Sequence, residues 1–193
     1  MSKTSKIIGL DLDGVIIDHT KNRVRLAEKL GFSLAPEETV TDIVKKKLPK
    51  DTYDTIKNLI YDDPTIGVSS PFMHGAEKGL KYLHEHGIPY YVISRRDPYD
   101  MAIQLLKKLG RWPSYFNEKN TFFVKTKEDK NNKARELGVT IYLDDQPSVL
   151  DALVDVPQKL LFDPLYAYAK RPEYTQYSKI HSWDKFIQVV KNL

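Results

Sequence analysis

Cysteine is absent from all 193 residues. Its absence excludes disulfide cross-links, thiolate metal ligands and any thiol nucleophile, and it fits a reducing compartment such as the cytoplasm. Long apolar runs are missing as well. The first apolar stretch, Ile7 to Leu10, stops at Asp11 after four residues, and Met1 to Lys6 before it is short and polar. Neither a signal peptide nor a membrane span is expected from that pattern, and no membrane partner. Repeats, low-complexity tracts and coiled-coil heptads are also lacking. With 41% hydrophobic and 29% charged residues, the chain can still enclose the core of one or two ordinary domains. Its 30 Lys and Arg exceed its 26 Asp and Glu, for a net charge of +4, but the two signs are interspersed. The one dense basic run is Lys45 to Lys47. A solvated surface is therefore favoured over a nucleic-acid-binding stripe, which stays open as the lesser reading.

Local patterns divide the chain. Ile7 to Leu10 running into Asp11-Leu12-Asp13-Gly14 has the form of a buried parallel strand that empties into a loop. Three helical patterns follow: Lys21 to Leu30 closed by Gly31, Pro36 to Leu48 opened by a proline suited to a first turn, and Asp51 to Tyr61. After a Pro-, Gly- and Ser-rich loop from Pro64 to Pro71, helix and strand alternate. Ala76, Leu80 and Leu83 stripe a helix ending at Gly87, and Tyr90 to Ile93 is the next strand. Asp97-Pro98 is expected to cap a helix carrying Ala102, Leu105, Leu106 and Leu109, with Gly110 at its end. Then come a strand at Thr121 to Val124, a helix at Lys130 to Leu137, a strand at Ile141 to Leu143 and a fifth strand at Leu160 to Phe162.

This alternation predicts an α/β fold, a Rossmann-like doubly wound parallel sheet. Residues 1–14 and 73–193 form its core domain, and residues 15–72 a small helical cap inserted after the first strand, over the sheet's carboxyl edge.

The residues able to do chemistry cluster at that edge. Asp11 and Asp13 follow the first strand, Ser94 the second, and Asp144 with Asp145 the fourth, and in a parallel sheet these points converge. Side chains two apart in an extended segment share a side, so Asp11 and Asp13 can face one ligand while Gly14 frees the backbone to turn. Four carboxylates in one crevice need a counter-charge, and an all-oxygen set favours magnesium over zinc; Asp11, Asp13, Asp144 and Asp145 are the expected ligands. A divalent ion would let an anionic carboxylate approach an anionic phosphate. Asp11 is then the expected nucleophile and Asp13 the acid and base. For the phosphoryl oxygens, the donors at hand are Ser94, Lys130, Arg95 and loop N–H groups including that of Gly14. Lys130 is preferred to Lys125, Lys127 and Lys133 because a cation at the opening of a helix gains little from the helix dipole.

DLDGV at 11–15, VISRR at 92–96, Lys130 in EDKNNKARELGV and YLDDQP at 142–147 resemble the four motifs of the haloacid dehalogenase superfamily of phosphatases, over residues 7–162. The resemblance implies an aspartyl-phosphate on Asp11, acid/base catalysis by Asp13, phosphate binding by Ser94 and Lys130, and magnesium on Asp144 and Asp145. With Asp13 present, it implies a phosphatase rather than a dehalogenase. KLLFDPLYAYAKR at 159–171 and KIHSWDKF at 179–186 are similar to the tail of the 5′(3′)-deoxyribonucleotidase branch, although Tyr166-Ala167 stands where that branch has Tyr-Asn. A small phosphate ester such as a nucleoside monophosphate is the substrate this implies.

Two other functions are carried alongside: a 3′-phosphatase acting on nucleic-acid ends, suggested by the basic balance and by Arg95 and Arg96, and a catalytically silent binding protein of the same fold. His84 and His86, two apart on a helix, cannot easily point at one ion and are read as solvated. The tyrosines from Tyr166 to Tyr177 are read as packing on the core rather than stacking on bases.

Overall fold

The computed structural model describes residues 6–169 and 171–192. Met1 to Ser5 of the polar N-terminal stretch and Lys170 of the tail segment lie outside the described residues. Six parallel strands form one sheet: β1 (Ile8–Leu10), β2 (Tyr90–Ser94), β3 (Thr121–Phe123), β4 (Ile141–Asp144), β5 (Gln158–Phe162) and β6 (Ser178–Ile180), in the order β3-β2-β1-β4-β5-β6. The central strands β1 and β4 are buried at every position, as a strand covered on both faces must be. Chain order reverses direction at β1, so β1 and β4 open a crevice at their carboxyl ends.

Five helices cover the sheet: α4 (Ala76–Glu85), α5 (Asp100–Lys108), α6 (Lys127–Glu136), α7 (Pro147–Ala152) and α8 (Trp183–Asn192). Three more, α1 (Thr20–Lys29), α2 (Thr41–Lys47) and α3 (Lys50–Asp62), lie between β1 and α4. They close on an apolar cluster of their own that includes Leu26, Ala27, Val44, Leu48, Ile56 and Ile60. Val15, Ile16 and Ile17 instead join the sheet's core, and Ile17 bridges to Phe72 where the chain returns. No helix among the described residues is long and apolar enough to cross a membrane.

Several boundaries differ from expectation for local reasons. The pattern from Pro36 to Leu48 is two pieces, a 3₁₀ turn at Pro36–Thr39 and then α2, separated by extended backbone at Val40. Asp97-Pro98 does not cap α5; that helix starts at Asp100 after Tyr99. The helix expected from Lys130 begins three residues earlier. Asp129 N–H donates to Thr126 Oγ1 and Thr126 N–H to Asp129 Oδ2, each at 3.0 Å, and this reciprocal box fixes the start of α6. Lys130 consequently sits one turn inside α6, not at its opening.

Tail and core are locked together by Trp183, whose Nε1–H donates to Val15 O at 2.8 Å. Its ring lies on Gly79 of α4 so closely that an added Cβ would come within 2.3 Å of Trp183 Cε3. Gly79→Ala is therefore expected to lower stability by about 1–3 kcal/mol, the usual effect of overpacking a filled contact, measured by urea denaturation.

Candidate active site

Asp11 and Asp13 stand just beyond β1, Ser94 ends β2, and Asp144 ends β4 with Asp145 after it. All five are buried. Lys130 reaches in from α6, is 1% exposed, and donates to Asp11 Oδ1 and Asp144 Oδ2 at 2.7 Å each. Its ammonium also lies 5.2 Å from the centre of the Tyr142 ring. Burial works against that charge, but Asp11 and Asp144 outweigh it and hold the ammonium well above its ordinary value. Of the four candidate lysines, Lys130 is the one that is buried at the site; Lys133 pairs instead with Glu136 on its own helix.

Asp11, Asp144 and Asp145 each bring an oxygen within 4.8 Å of the others. Burial is the main force raising the Asp11 carboxyl to about 7, opposed by Lys130 and assisted by Asp144 and Asp13. Burial, Asp144 and Asp11 also push Asp145 well above the usual carboxylate range. Asp145 Oδ1 is buried without a hydrogen-bond partner among the described residues. Such an acceptor is costly to leave bare, and a bound cation would satisfy it. The trio therefore fits a hard divalent cation held by oxygen, of the magnesium kind.

Gly14 explains how Asp145 comes so near. Its φ is +89°, and an added Cβ would lie 2.4 Å from Asp145 Oδ2. Expected among the phosphate-binding residues, Gly14 donates its N–H to Ile17 O at 2.8 Å instead of offering it to a ligand. Tyr168, from the tail segment, donates its hydroxyl to Asp145 O at 3.2 Å and so supports the same loop from behind.

Asp13, expected as a fourth acidic ligand, is not in this trio. Its Oδ1 accepts from His19 Nε2 at 2.6 Å and from Arg96 NH1 at 3.2 Å. Burial raises its carboxyl, but the Arg96 guanidinium and the His19 hydrogen bond win and hold it at about 2. His19 is itself buried, and desolvation lowers its own value despite the nearby carboxylate. A neutral imidazole that donates to Asp13 from Nε2 must accept at Nδ1. Ser70 Oγ lies 2.7 Å from that nitrogen and in turn accepts from Asn22 Nδ2 at 3.0 Å, so the donors line up as Asn22, Ser70, His19, Asp13. Arg96 is stacked 4.9 Å over the Tyr61 ring of α3.

Asp11, Asp13, Ser94, Arg95 and Lys130 open onto one cavity of about 290 Å³. The inserted helices line it too, with Thr41 and Lys45 from α2 and Tyr53, Asp54, Lys57 and Tyr61 from α3. Arg95, half-buried, donates to Gln146 Oε1 at 3.3 Å. The sequence reading missed His19 and Ser70, and it left Arg96 undecided. Tyr53 was legible only as part of an apolar helical stripe. A buried histidine six residues beyond Asp13, ahead of a helix that it does not cap with its side chain, was the one available hint.

A proton release on metal binding follows from the acidic trio. A divalent cation must displace the proton that Asp11 carries below about pH 7, so magnesium affinity is expected to fall by about tenfold between pH 8 and pH 6, with Asp145 making the slope steeper. Calorimetric titration in two buffers of different ionisation enthalpy reads both the affinity and the proton released. Binding that is independent of pH would contradict this picture of the site.

Sheet order, helical layers and the helices inserted after β1 define a class: the fold is that of the haloacid dehalogenase-type hydrolases. A HAD family hydrolase of Deinococcus radiodurans, solved with bound phosphate and sodium, superposes with a TM-score of 0.67 at 14% identity, covering 98% of this chain and 96% of that one. A predicted phosphatase of Clostridium acetobutylicum matches with a TM-score of 0.67 at 13% identity over 99% and 100% of the two chains. A haloacid dehalogenase-like hydrolase of Streptococcus pneumoniae matches with a TM-score of 0.66 at 14% identity over 97% and 99%. In sequence, a Bacillus cereus protein named "Putative nucleotidase" is 25% identical over 95% of this chain and 97% of its own length. No protein-family model matches the chain.

Proposed function

We propose that the protein is a magnesium-dependent phosphomonoesterase that acts on a small phosphate ester through an aspartyl-phosphate on Asp11. The observation that carries this reading is the pairing of Asp11 and Asp13 in opposite surroundings at one cavity. Asp11 leans on Lys130 and the acidic trio, Asp13 on Arg96 and His19. Two carboxyls held in such different surroundings are suited to different roles; a cation on Asp11 would lower its proton affinity and a substrate phosphate beside Asp13 would raise that of Asp13, as the two roles require.

Asp11, Asp144 and Asp145 would hold the divalent ion, which supplies charge neutralisation between carboxylate and phosphate. Lys130 keeps one Asp11 oxygen fixed and adds positive charge beside the transferring phosphoryl group, and the Ser94 hydroxyl and Arg95 supply further donors. The free Asp11 oxygen attacks phosphorus, the P–O bond to the leaving group breaks, and Asp13 delivers a proton to the departing oxygen. Asp13 needs that proton first, and His19 with Arg96 makes it scarce in the resting site. Entry of a phosphate dianion offsets the two cationic and hydrogen-bonding partners and restores proton affinity to Asp13. In the second half, Asp13 takes a proton from the water that hydrolyses the acyl phosphate.

The helices α1–α3 act in this scheme as a cap whose α2 and α3 face complete the cavity. A nucleotide is favoured as substrate by the name of the Bacillus cereus relative and by the tail segment at 159–171. The experiment is a panel of phosphate esters scored by released phosphate, with magnesium and with chelator. Release that needs the metal is expected. A null result across the panel would instead favour a silent binding protein.

A further inference from the structure

The cations around the cavity fall into two groups. Lys130 is held by Asp11 and Asp144, and Arg96 by Asp13. Asp54, which also lines the cavity, is taken by Lys50 at 2.6 Å. Lys45, Lys57 and Arg95 remain, and none of the three has a carboxylate within ion-pair distance among the described residues. Arg95 has only the neutral Gln146 oxygen, and Lys45 lies 5.5 Å from the centre of the Tyr53 ring. These charges crowd one another. Burial, together with Arg95, Lys127 and Lys57 and only partly countered by Asp42, lowers the Lys45 ammonium.

A cleft with an excess of one sign concentrates ligands of the other sign, and here Lys45 and Lys57 outnumber Asp54, whose charge Lys50 already takes up. The phosphoryl group being transferred is already served by Lys130, Ser94 and Arg95, which leaves Lys45 and Lys57. Lys45 and Lys57 line the same cavity from α2 and α3 rather than from the strand ends, which leaves them to the leaving group.

We infer that the α2–α3 wall is a second anion subsite, and that the substrates are small phosphomonoesters whose leaving group carries its own carboxylate or second phosphate. This rests on the hydrolase reading given above. Among nucleotides it selects a nucleoside bisphosphate over a nucleoside monophosphate.

Matched pairs test it: phosphoglycolate against ethyl phosphate for a carboxylate, and adenosine 3′,5′-bisphosphate against adenosine 5′-monophosphate for a second phosphate. Each partly screened cation changes binding by a few fold, so kcat/KM for the anionic member of at least one pair is expected to exceed its neutral partner by about tenfold. In the double variant Lys45→Met, Lys57→Met that ratio is expected to fall toward one, and which pair responds identifies the anion. Equal kcat/KM within both pairs of the wild-type protein, or a preference that the double variant keeps, overturns the subsite while the hydrolase reading stands. Phosphate released from no ester removes both. Cleavage of a 3′-phosphorylated oligonucleotide with all four small esters ignored also overturns it, in favour of a nucleic-acid end.

Discussion

Replacing Asp11 with asparagine is expected to reduce kcat on any ester the protein hydrolyses by on the order of 10⁴-fold or more, the scale seen when a covalent nucleophile is removed from an otherwise intact site. The amide keeps the shape of the side chain but has no charge and a poorly nucleophilic oxygen. Lys130 still has Asp144, so the site is not expected to collapse. Phosphate binding and the folded fraction should therefore change far less than kcat. Steady-state rates with magnesium, alongside a phosphate-binding titration of the variant, distinguish lost chemistry from lost structure. Retention of even a few per cent of activity would mean that another group attacks phosphorus.

Lys130→Met carries the second large effect, and it acts on stability as well as rate. The ammonium is buried between Asp11 and Asp144, and removing one member of such a cluster leaves uncompensated charge, with a typical penalty of about 3–5 kcal/mol. The pH dependence has a definite sign. The Asp11 carboxyl is held at about 7 in the folded chain against 3.8 as a free carboxyl, so its burial costs stability that builds as pH rises from 3.8 toward 7 and then levels off. Loss of the lysine pushes that carboxyl higher still. The deficit should accordingly be larger at pH 8 than at pH 6, and magnesium should restore part of it by occupying the place of the missing charge. Urea denaturation at both pH values, with and without magnesium, measures each term. A loss below about 1 kcal/mol that ignores pH and metal would show that Lys130 is a surface cation in practice.

Much of the arrangement could be read from spacing. Asp11, Ser94 and Asp144 were legible because each ends or follows a buried strand, and a parallel sheet delivers strand ends to one edge whatever lies between them. Lys130 does lie against Asp11, but the helical reason offered for it does not hold. The box formed by Thr126 and Asp129 places it a full turn into α6, and its length and burial, not the helix dipole, bring it to Asp11. The six-residue α7 and the three-residue β6 are not anticipated, since elements that short carry little periodicity of their own, and the ten-residue α8 is not anticipated either although Phe186, Ile187 and Val190 recur at helical spacing.

Other parts lay beyond any local pattern. His19 matters through a hydrogen bond to Asp13 and another to Ser70, on the far side of the inserted helices. The hydroxyl of Tyr168 matters because it meets the backbone of Asp145. Of the tail tyrosines, Tyr168, Tyr174 and Tyr177 pack on the core as expected, with Tyr168 buried and edge-on to Tyr174, but Tyr166 does not: it is exposed and stacks on His181. His84 and His86 are exposed, and neither belongs to a group of potential metal ligands among the described residues; His86 stacks on Tyr82. The wall made by Lys45, Tyr53 and Lys57 depends on how α2 and α3 turn over the sheet, and one sequence does not fix that rotation.

Covalent capture at residue 11 is the most direct test of the chemistry. Protein turning over a hydrolysable ester with magnesium, quenched in acid and reduced with borohydride, should yield homoserine in place of aspartate in the peptide spanning residue 11, and only when substrate and magnesium are both present. Homoserine at another aspartate, or steady release of phosphate with residue 11 never modified, would contradict attack by Asp11.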